Sequence, residues 1–172
     1  MKDCIFCKIV ENKAICHIKT CYYKVELKGK GEDVDPAVKE LTSLDSHYDI
    51  IYTGRHKNKG EVKFDSVIGA IGRQEDIETL LKKHNHLSSV KVNPVNKMEV
   101  DFESVPYNEK MAGERSEWYN SIWQSFGLKG NVKATKKDGK FILKGSFSGS
   151  PEDIAKAVET MSGTASFDYK TE

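Results

Sequence analysis

The chain has 172 residues, a length that fits one ordinary domain or two small ones. Its 27 basic and 26 acidic side chains give a formal net charge of +1, and this balance argues against a dedicated nucleic-acid-binding surface. No apolar run approaches the roughly 18 residues that a membrane-spanning helix needs, so we expect no membrane interaction and a cytoplasmic location.

The amino-terminal segment, residues 1–21, contains all four cysteines and a histidine. In a reducing compartment, clustered cysteines more often bind a metal or do redox chemistry than form structural disulfides. A zinc ion takes four thiolate or imidazole ligands in a tetrahedron. The segment therefore predicts a Cys-rich leader that holds zinc or another thiophilic metal, with ligands drawn from Cys4, Cys7, Cys16, His17 and Cys21.

Two other interpretations of the leader stay open. Cys4 and Cys7 form a Cys-x-x-Cys pair, which could cycle between dithiol and disulfide. Cys21 stands at the start of the first predicted strand and could be a small buried apolar residue. Measurement of bound metal and of free thiols separates these alternatives.

Residues 22–93 have the order strand, helix, strand, strand, helix, strand. The first strand alternates apolar and polar residues from Tyr23 to Leu27. A helix is predicted to open at Asp35, which can cap it, with Pro36 at the first helical position. The remaining elements are strands at 48–54 and 61–72, a helix that carries Ile77 and Leu81, and a strand that ends at Val92.

Residues 96–172 repeat this order. The first strand alternates from Met98 to Phe102, and a helix follows over 114–127 after an irregular segment that could act as a flap. Two strands then meet at an Asp-Gly turn, and the last helix is capped by Ser150 and stopped by Gly163 before a final strand. The two strands and the final strand are predicted at 131–135, 141–147 and 165–172.

The two halves also match in register, because placing Ile77 on Ile154 places Gly72 on Gly149. The order strand, helix, strand, strand, helix, strand is the split βαββαβ unit of ferredoxin-like domains. We therefore predict an α+β fold with two tandem ferredoxin-like βαββαβ units with antiparallel sheets, preceded by the short Cys-rich leader. The linker between them is short, and a cleft between the units is a natural place for a small-molecule site.

The first helix of the second unit is strongly aromatic. Trp118, Tyr119 and Trp123 lie on a wide apolar face, together with Ile122 and Phe126. Such a stripe is typical of a packed core, and it is also compatible with an aromatic-lined ligand pocket or a homodimer surface. We name Trp118, Tyr119 and Trp123 as candidate ligand-binding residues.

The element order and the apolar spacing resemble the N-terminal sensory region of archaeal bacterio-opsin-activator-type transcription regulators. The residues that carry the resemblance are Val90 and Val92 before the join, and Met98, Val100 and Phe102 after it. The resemblance implies a cytoplasmic ligand-sensing module for transcription regulation. The helix-turn-helix part of that family has no counterpart here, so we expect either the sensory half of a longer regulator or a stand-alone relative.

Three functions follow from these observations. We favour a regulatory module that senses a small molecule or a metal, with the Cys cluster as a zinc site and with no direct nucleic-acid binding by this chain. The first alternative is a thiol-dependent or metal-dependent enzyme with a site between the repeats, although no nucleophile and base pattern stands out. The second alternative is a protein-interaction scaffold that uses the aromatic helix.

Overall fold

The computed structural model describes residues 5–10, 13–18, 20–43, 48–70 and 74–171. The chain divides into two compact units, Met1–Val95 and Asn96–Glu172. Each unit contains a four-stranded antiparallel sheet with two helices. The first unit also contains a two-stranded sheet at its amino-terminal end.

The elements of the first unit follow one another as β1 (Ile5–Val10), β2 (Lys13–Ile18), β3 (Cys21–Lys30), α1 (Gly31–Ser43), β4 (Tyr48–Asn58), β5 (Glu61–Ala70), α2 (Gln74–Lys82) and β6 (Ser89–Pro94). The four-stranded sheet has the order β4-β5-β3-β6, and every neighbouring pair is antiparallel. The first and third strands of the repeat are therefore central, and the second and fourth are at the edges.

The elements of the second unit are β7 (Met98–Ser104), α3 (Glu109–Ser125), β8 (Lys129–Lys137), β9 (Lys140–Gly149), α4 (Pro151–Thr160) and β10 (Ala165–Thr171). The sheet order is β10-β7-β9-β8, again fully antiparallel. The two sheets thus have the same topology. The predicted α+β fold, built from two βαββαβ units of ferredoxin-like type, is confirmed at this level.

The predicted leader differs from the structure in one respect. A Cys-x-x-Cys pair that binds metal is typically a tight turn, and Cys4 and Cys7 predict one, but the backbone of residues 5–10 is extended and pairs with residues 13–18 as an antiparallel hairpin. Both segments are rich in β-branched and aromatic residues, which favour extended backbone. The register places the backbone of Cys7 opposite that of Cys16.

Two helices begin earlier than predicted. The helix α1 starts at Gly31, so Asp35 is not its cap and Pro36 lies inside it. The apolar residues that face the core include Val34, which directly precedes the predicted cap and is fully buried. The helix α3 starts at Glu109 because the side chain of Asn108 caps it, and part of the predicted irregular flap is therefore helical.

The helix α4 has the predicted start. The hydroxyl of Ser150 accepts a hydrogen bond from the backbone N–H of Asp153 at 3.2 Å, and Pro151 occupies the first turn. The turn between β8 and β9 is also the predicted Asp-Gly pair, with φ of 51° at Asp138 and 78° at Gly139. Positive φ at both central residues is what a two-residue hairpin turn requires.

The core of the first unit lies between its four-stranded sheet and its two helices. The sheet contributes alternate residues, which are buried on the side of the helices, and the helices contribute one apolar stripe each. The principal residues are Val25, Leu27, Phe64 and Ile68 from the sheet and Val34, Leu41, Ile77 and Leu81 from the helices. Leu44, which the three-residue spacing from Val38 and Leu41 predicts on the same stripe of α1, lies outside the described residues.

Candidate ligand-binding face of the second unit

The side of the second sheet that faces its helices is a closed aromatic core. Trp123 is 1% exposed and stacks on Phe147, with 4.9 Å between ring centroids. Phe102 meets Trp123 edge-on at 5.2 Å and Tyr119 at 5.0 Å. Aromatic pairs of this kind contribute about 0.5–1.5 kcal/mol beyond their buried area. These rings fill the space between helix and sheet and hold the unit together.

Two of the three aromatic residues that were predicted to bind a ligand belong to this core. Tyr119 and Trp123 are buried, whereas Trp118 is partly exposed and carries the guanidinium of Arg115 over its ring at 5.0 Å. Tyr119 and Trp123 therefore pack in the core, which was one of the interpretations that their spacing allowed. A ligand-binding role for the three residues stays a prediction.

Polar atoms in this core are only partly satisfied. The hydroxyl of Tyr119 donates to the carbonyl oxygen or the hydroxyl of Thr164, at 3.2 and 3.0 Å. Burial raises the pKa of Tyr119 to about 12, against the lowering effect of the Thr164 hydrogen bond. The indole Nε1 of Trp123 is buried and finds no hydrogen-bond partner among the residues that the structure describes. A buried unpaired donor costs about 1–3 kcal/mol, which the surrounding ring contacts must offset.

The opposite side of the same sheet, which we call the exposed face, is polar. It carries the alternate residues of the four strands that point away from α3 and α4. A depression of about 440 Å³ lies on this face. Its lining residues are Asp101, Phe102, Glu103, Lys144, Gly145, Ser166, Phe167 and Asp168.

The floor of the depression is backbone at the pair Phe102 and Gly145, which are opposite each other on β7 and β9. A Cβ at position 145 would lie 2.8 Å from Cε1 of Phe102 and would also clash with the carbonyl oxygen of Asn131. Position 145 therefore accepts only glycine without a shift of its neighbours. The close approach of backbone and ring is what this glycine provides.

Ion pairs order the carboxylates of the exposed face. Lys170 contacts Asp101 at 2.5 Å and Glu99 at 3.6 Å, and Ser146 donates its hydroxyl to Asp101. The hydrogen bond from Lys170 is the main cause of a lowered pKa at Asp101, and it raises the pKa of Lys170 in turn. Asp101 is therefore ionised at neutral pH, with its charge balanced.

The second carboxylate on β7 is balanced in the same way. Lys144 contacts Glu103 at 2.7 Å, and this hydrogen bond is the main cause of a lowered pKa at Glu103. Both groups are about half exposed, so each pair contributes little to stability. Their effect is to fix the positions of charged groups around the depression.

Asp168 differs from the other carboxylates that line the depression. It lies directly opposite Asp101 on the neighbouring strand β10 and is exposed. Within the described part of the chain no side chain forms a hydrogen bond or an ion pair with Asp168. Like charges directly opposite each other on adjacent strands are destabilising. The face thus presents one uncompensated carboxylate beside the hydroxyl of Ser166.

None of the charged residues of the exposed face was predicted as a site residue from the sequence. The alternation of Glu99, Asp101 and Glu103 with apolar neighbours is visible in the sequence as the polar side of a strand. Asp168 is far along the chain, and only the register of β7 with β10 brings it opposite Asp101. Sequence periodicity alone does not supply that register.

The predicted metal ligands lie mostly outside the described residues, namely Cys4 and the side chains of Cys7, Cys16 and His17. Cys21 is described: it is disulfide-bonded and packs against the core of the first unit. Among the described residues no group of three or more His, Cys, Asp or Glu side chains could hold a metal ion. In the same residues no helix is long and apolar enough to cross a membrane.

No family model matches the chain, and no curated protein matches it. Several solved structures are similar at low identity. An unknown protein from Galdieria sulphuraria has a TM-score of 0.38 and 10% identity, with 90% of this chain and 99% of that chain covered. A candidate glycine cleavage system transcriptional repressor has a TM-score of 0.36 and 14% identity, with 89% and 99% covered.

An aspartate kinase from Clostridium acetobutylicum, described as an allosteric enzyme, has a TM-score of 0.35 and 12% identity. The match covers 83% of this chain and 32% of that one. At this distance the likenesses concern the arrangement of strands and helices, and the chemistry of this chain must come from its own residues.

Proposed function

We propose that the chain is a regulatory module that binds a small amine-bearing molecule on the exposed face of the second unit. The observation that carries the proposal is the uncompensated carboxylate of Asp168 on the wall of a 440 Å³ depression. An ammonium group seated between Asp168 and Asp101 would relieve the repulsion between them. The hydroxyl of Ser166 offers a further acceptor at the same wall.

The surroundings of Asp168 favour a small polar ligand. Lys144 and Lys170 flank the carboxylates. Lys144 forms an ion pair with Glu103, and Lys170 forms one with Asp101. A ligand with an amine and a separate anionic group could contact both kinds of charge. Because the other side of the sheet is a packed aromatic core, binding here requires no opening of the fold.

The same electrostatics speak for binding rather than catalysis. A general acid at neutral pH needs a raised carboxyl pKa, whereas lysines lower the pKa of both Asp101 and Glu103. The buried phenol of Tyr119 has a pKa of about 12 and stays neutral. We therefore assign the exposed face a sensing role. Transcription regulation is the finer form of this proposal, and its support is the resemblance in element order described above.

The test is a thermal-shift screen of small amines, including amino acids and polyamines, followed by calorimetric titration of the strongest stabiliser. We expect saturable binding to the wild-type protein and at least tenfold weaker binding to Asp168→Asn, since one charge-assisted hydrogen bond is worth about 1.5–3 kcal/mol. The matched control is Glu159→Gln, which removes an exposed carboxylate on α4.

Loss of binding in Asp168→Asn must not come from unfolding, and the chain provides a check. Removal of the charge opposite Asp101 should leave the melting temperature unchanged or slightly raised. Equal weakening by Glu159→Gln, or full affinity in Asp168→Asn, would refute the assignment of this face.

We propose a second function for the leader, namely metal binding that depends on its redox state. The observation behind it is the disulfide at Cys21, because a sulfur in a disulfide is not a thiolate ligand. Reduction by two electrons and two protons, supplied by a thiol or phosphine reductant, would return two thiols. Zinc could then displace protons from ligands among Cys4, Cys7, Cys16, His17 and Cys21.

Zinc content after gel filtration tests this second function. We expect about one equivalent of zinc in the reduced protein, and far less in the oxidised protein and in the double variant Cys7→Ser, Cys21→Ser, which leaves three of the five candidate ligands. Thr20→Ser is the matched control and should behave as the wild-type protein. The same zinc content in the oxidised and reduced protein would contradict the redox dependence.

A further inference from the structure

The hairpin formed by β8 and β9, residues Lys129–Gly149, concentrates positive charge, and we call it the basic hairpin. It contains six lysines, no arginine, and Asp138 as its only acidic residue. The lysines are Lys129, Lys133, Lys136, Lys137, Lys140 and Lys144. Nearly a quarter of the 27 basic residues of the chain thus lie in one hairpin.

Two pairs of these lysines face each other directly across the strands. The register places Lys133 opposite Lys144 and Lys137 opposite Lys140. Opposed like charges destabilise an antiparallel pair. Two directly opposed lysine pairs in one hairpin, with no evident stabilising effect, are a pattern expected at a functional site.

Contacts within the protein compensate little of this charge. Lys144 forms the ion pair with Glu103, and Lys136 lies over the ring of Phe141 at 5.8 Å. The other four, Lys129, Lys133, Lys137 and Lys140, are exposed and form no ion pair within the residues that the structure describes. Their charge is therefore available to a partner.

Protection of a sheet edge is the structural explanation to weigh against a function. Lysines on an edge strand discourage pairing with another chain, and β8 is an edge strand. Lys144 lies where β9 is paired with both β7 and β8, so edge protection does not explain it. It also does not require lysines to oppose one another.

The turn of the hairpin reaches beyond the main sheet. Pairing of β9 with β7 ends at Lys144, and one further bridge joins Phe141 to Tyr107. Beyond Phe141 the ribbon consists of the ends of β8 and β9 and the Asp138-Gly139 turn. A two-stranded ribbon of this kind is narrow enough for the major groove of a duplex, which is about 12 Å wide.

We infer that the basic hairpin binds the phosphate backbone of nucleic acid without reading its sequence. Residues on one side of a strand repeat every 6.6–6.8 Å or so, and a duplex presents a regular polyanion against which such a row can lie. Arginine makes the commonest specific contact to guanine, and the hairpin has none. The tip, Lys137 to Lys140, has no apolar side chain to insert into a membrane, which favours nucleic acid over an anionic bilayer.

The test is fluorescence anisotropy of labelled 25-base-pair DNA duplexes of two unrelated sequences, titrated with full-length protein over a range of salt. We expect affinities for the two sequences that agree within a factor of about two, and a linear fall of log K with log salt. The variant Lys133→Gln, Lys137→Gln, Lys140→Gln should bind at least tenfold more weakly at low salt. Its salt slope should fall by about 0.9 for each lysine that contacts phosphate.

The matched control is Lys39→Gln, Lys83→Gln, Lys110→Gln, which removes three exposed lysines elsewhere, two on helices and one in the turn after α2. It should keep most of the affinity, and an equal loss in both variants would reduce the effect to bulk charge and overturn the inference. Absence of DNA binding by the wild-type protein would also overturn it. So would hairpin-dependent binding to phosphatidylserine vesicles without binding to DNA.

Folding and the proposed ligand site are controlled in the same experiment. The hairpin variant relieves both opposed pairs, so its melting temperature should equal or exceed that of the wild-type protein. None of the three substituted lysines lines the depression on the exposed face. Amine binding should survive in the variant, so failure of the hairpin inference is distinguishable from failure of the proposed function.

Discussion

The phenol of Tyr119 is a polar group inside an apolar core, and its protonation reports on that environment. Burial raises its pKa from 10.0 to about 12. Tyr119 in the unfolded chain loses its proton at a lower pH than in the folded protein. The contribution of this raised pKa to the free energy of unfolding is therefore fully present below pH 10. It is lost as the pH rises from 10 to about 12, at up to about 1.4 kcal/mol per pH unit.

We therefore expect the free energy of unfolding to fall across this alkaline window, measured by urea titration with circular dichroism. Tyr119→Phe should fall less steeply there. At neutral pH it should cost about 0.5–1.5 kcal/mol through loss of the hydrogen bond to Thr164. Tyr169, whose pKa burial also raises, accounts for part of the remaining slope. An identical alkaline slope in wild type and Tyr119→Phe would contradict this account.

At the scale of single residues, the sequence predicted more about packing than about ligand contact. The aromatic stripe of α3 was visible in the sequence, but a core and a pocket require the same residues at the same spacing. The structure places Tyr119 and Trp123 in the core. The carboxylate of Asp168 could not be singled out, because its significance depends on which residue lies opposite it and on its having no ion-pair partner among the described residues.

At the scale of elements, the caps decide where helices start. The side-chain oxygen of Asn108 accepts a hydrogen bond from the backbone N–H of Met111 at 2.9 Å, and this places the start of α3 at Glu109. We expect Asn108→Ala to destabilise the second unit by about 1 kcal/mol, since it leaves that N–H without its partner. Asn108→Asp should keep most of the stability.

Chemical denaturation followed by tryptophan fluorescence measures this effect within the second unit, because both tryptophans of the chain, Trp118 and Trp123, belong to it. Equal stability of Asn108→Ala and the wild-type protein would show that this cap contributes nothing.

Element boundaries were predictable where helix-capping residues, proline or glycine lie next to them. Ser150 and Pro151 start α4 in sequence and in structure alike, and the helix ends at Thr160, three residues before the predicted stop at Gly163. The start of α1 was misplaced because Pro36 suggests a first turn, whereas the buried contact of Val34 extends the helix back to Gly31. Tertiary packing overrode the local signal there.

At the scale of the molecule, the net charge of +1 conceals a separation of charges on the second sheet. The strands β7 and β10 carry the carboxylates of the exposed face, and β8 and β9 carry the opposed lysines. A total over the chain averages these regions. The total charge therefore argued against a nucleic-acid contact. The strand register supplies a reason to propose such a contact, because it shows where the lysines lie together.

The most direct measurement of the central claim is chemical-shift mapping of isotope-labelled protein with the amine identified in the screen. We predict shifts of backbone amides at 101–103, 144–145 and 166–168, the three segments that line the depression, with little change in α3 or in the first unit. Shifts centred on Trp118, Tyr119 and Trp123, or in the first unit, would contradict the exposed face as the binding site.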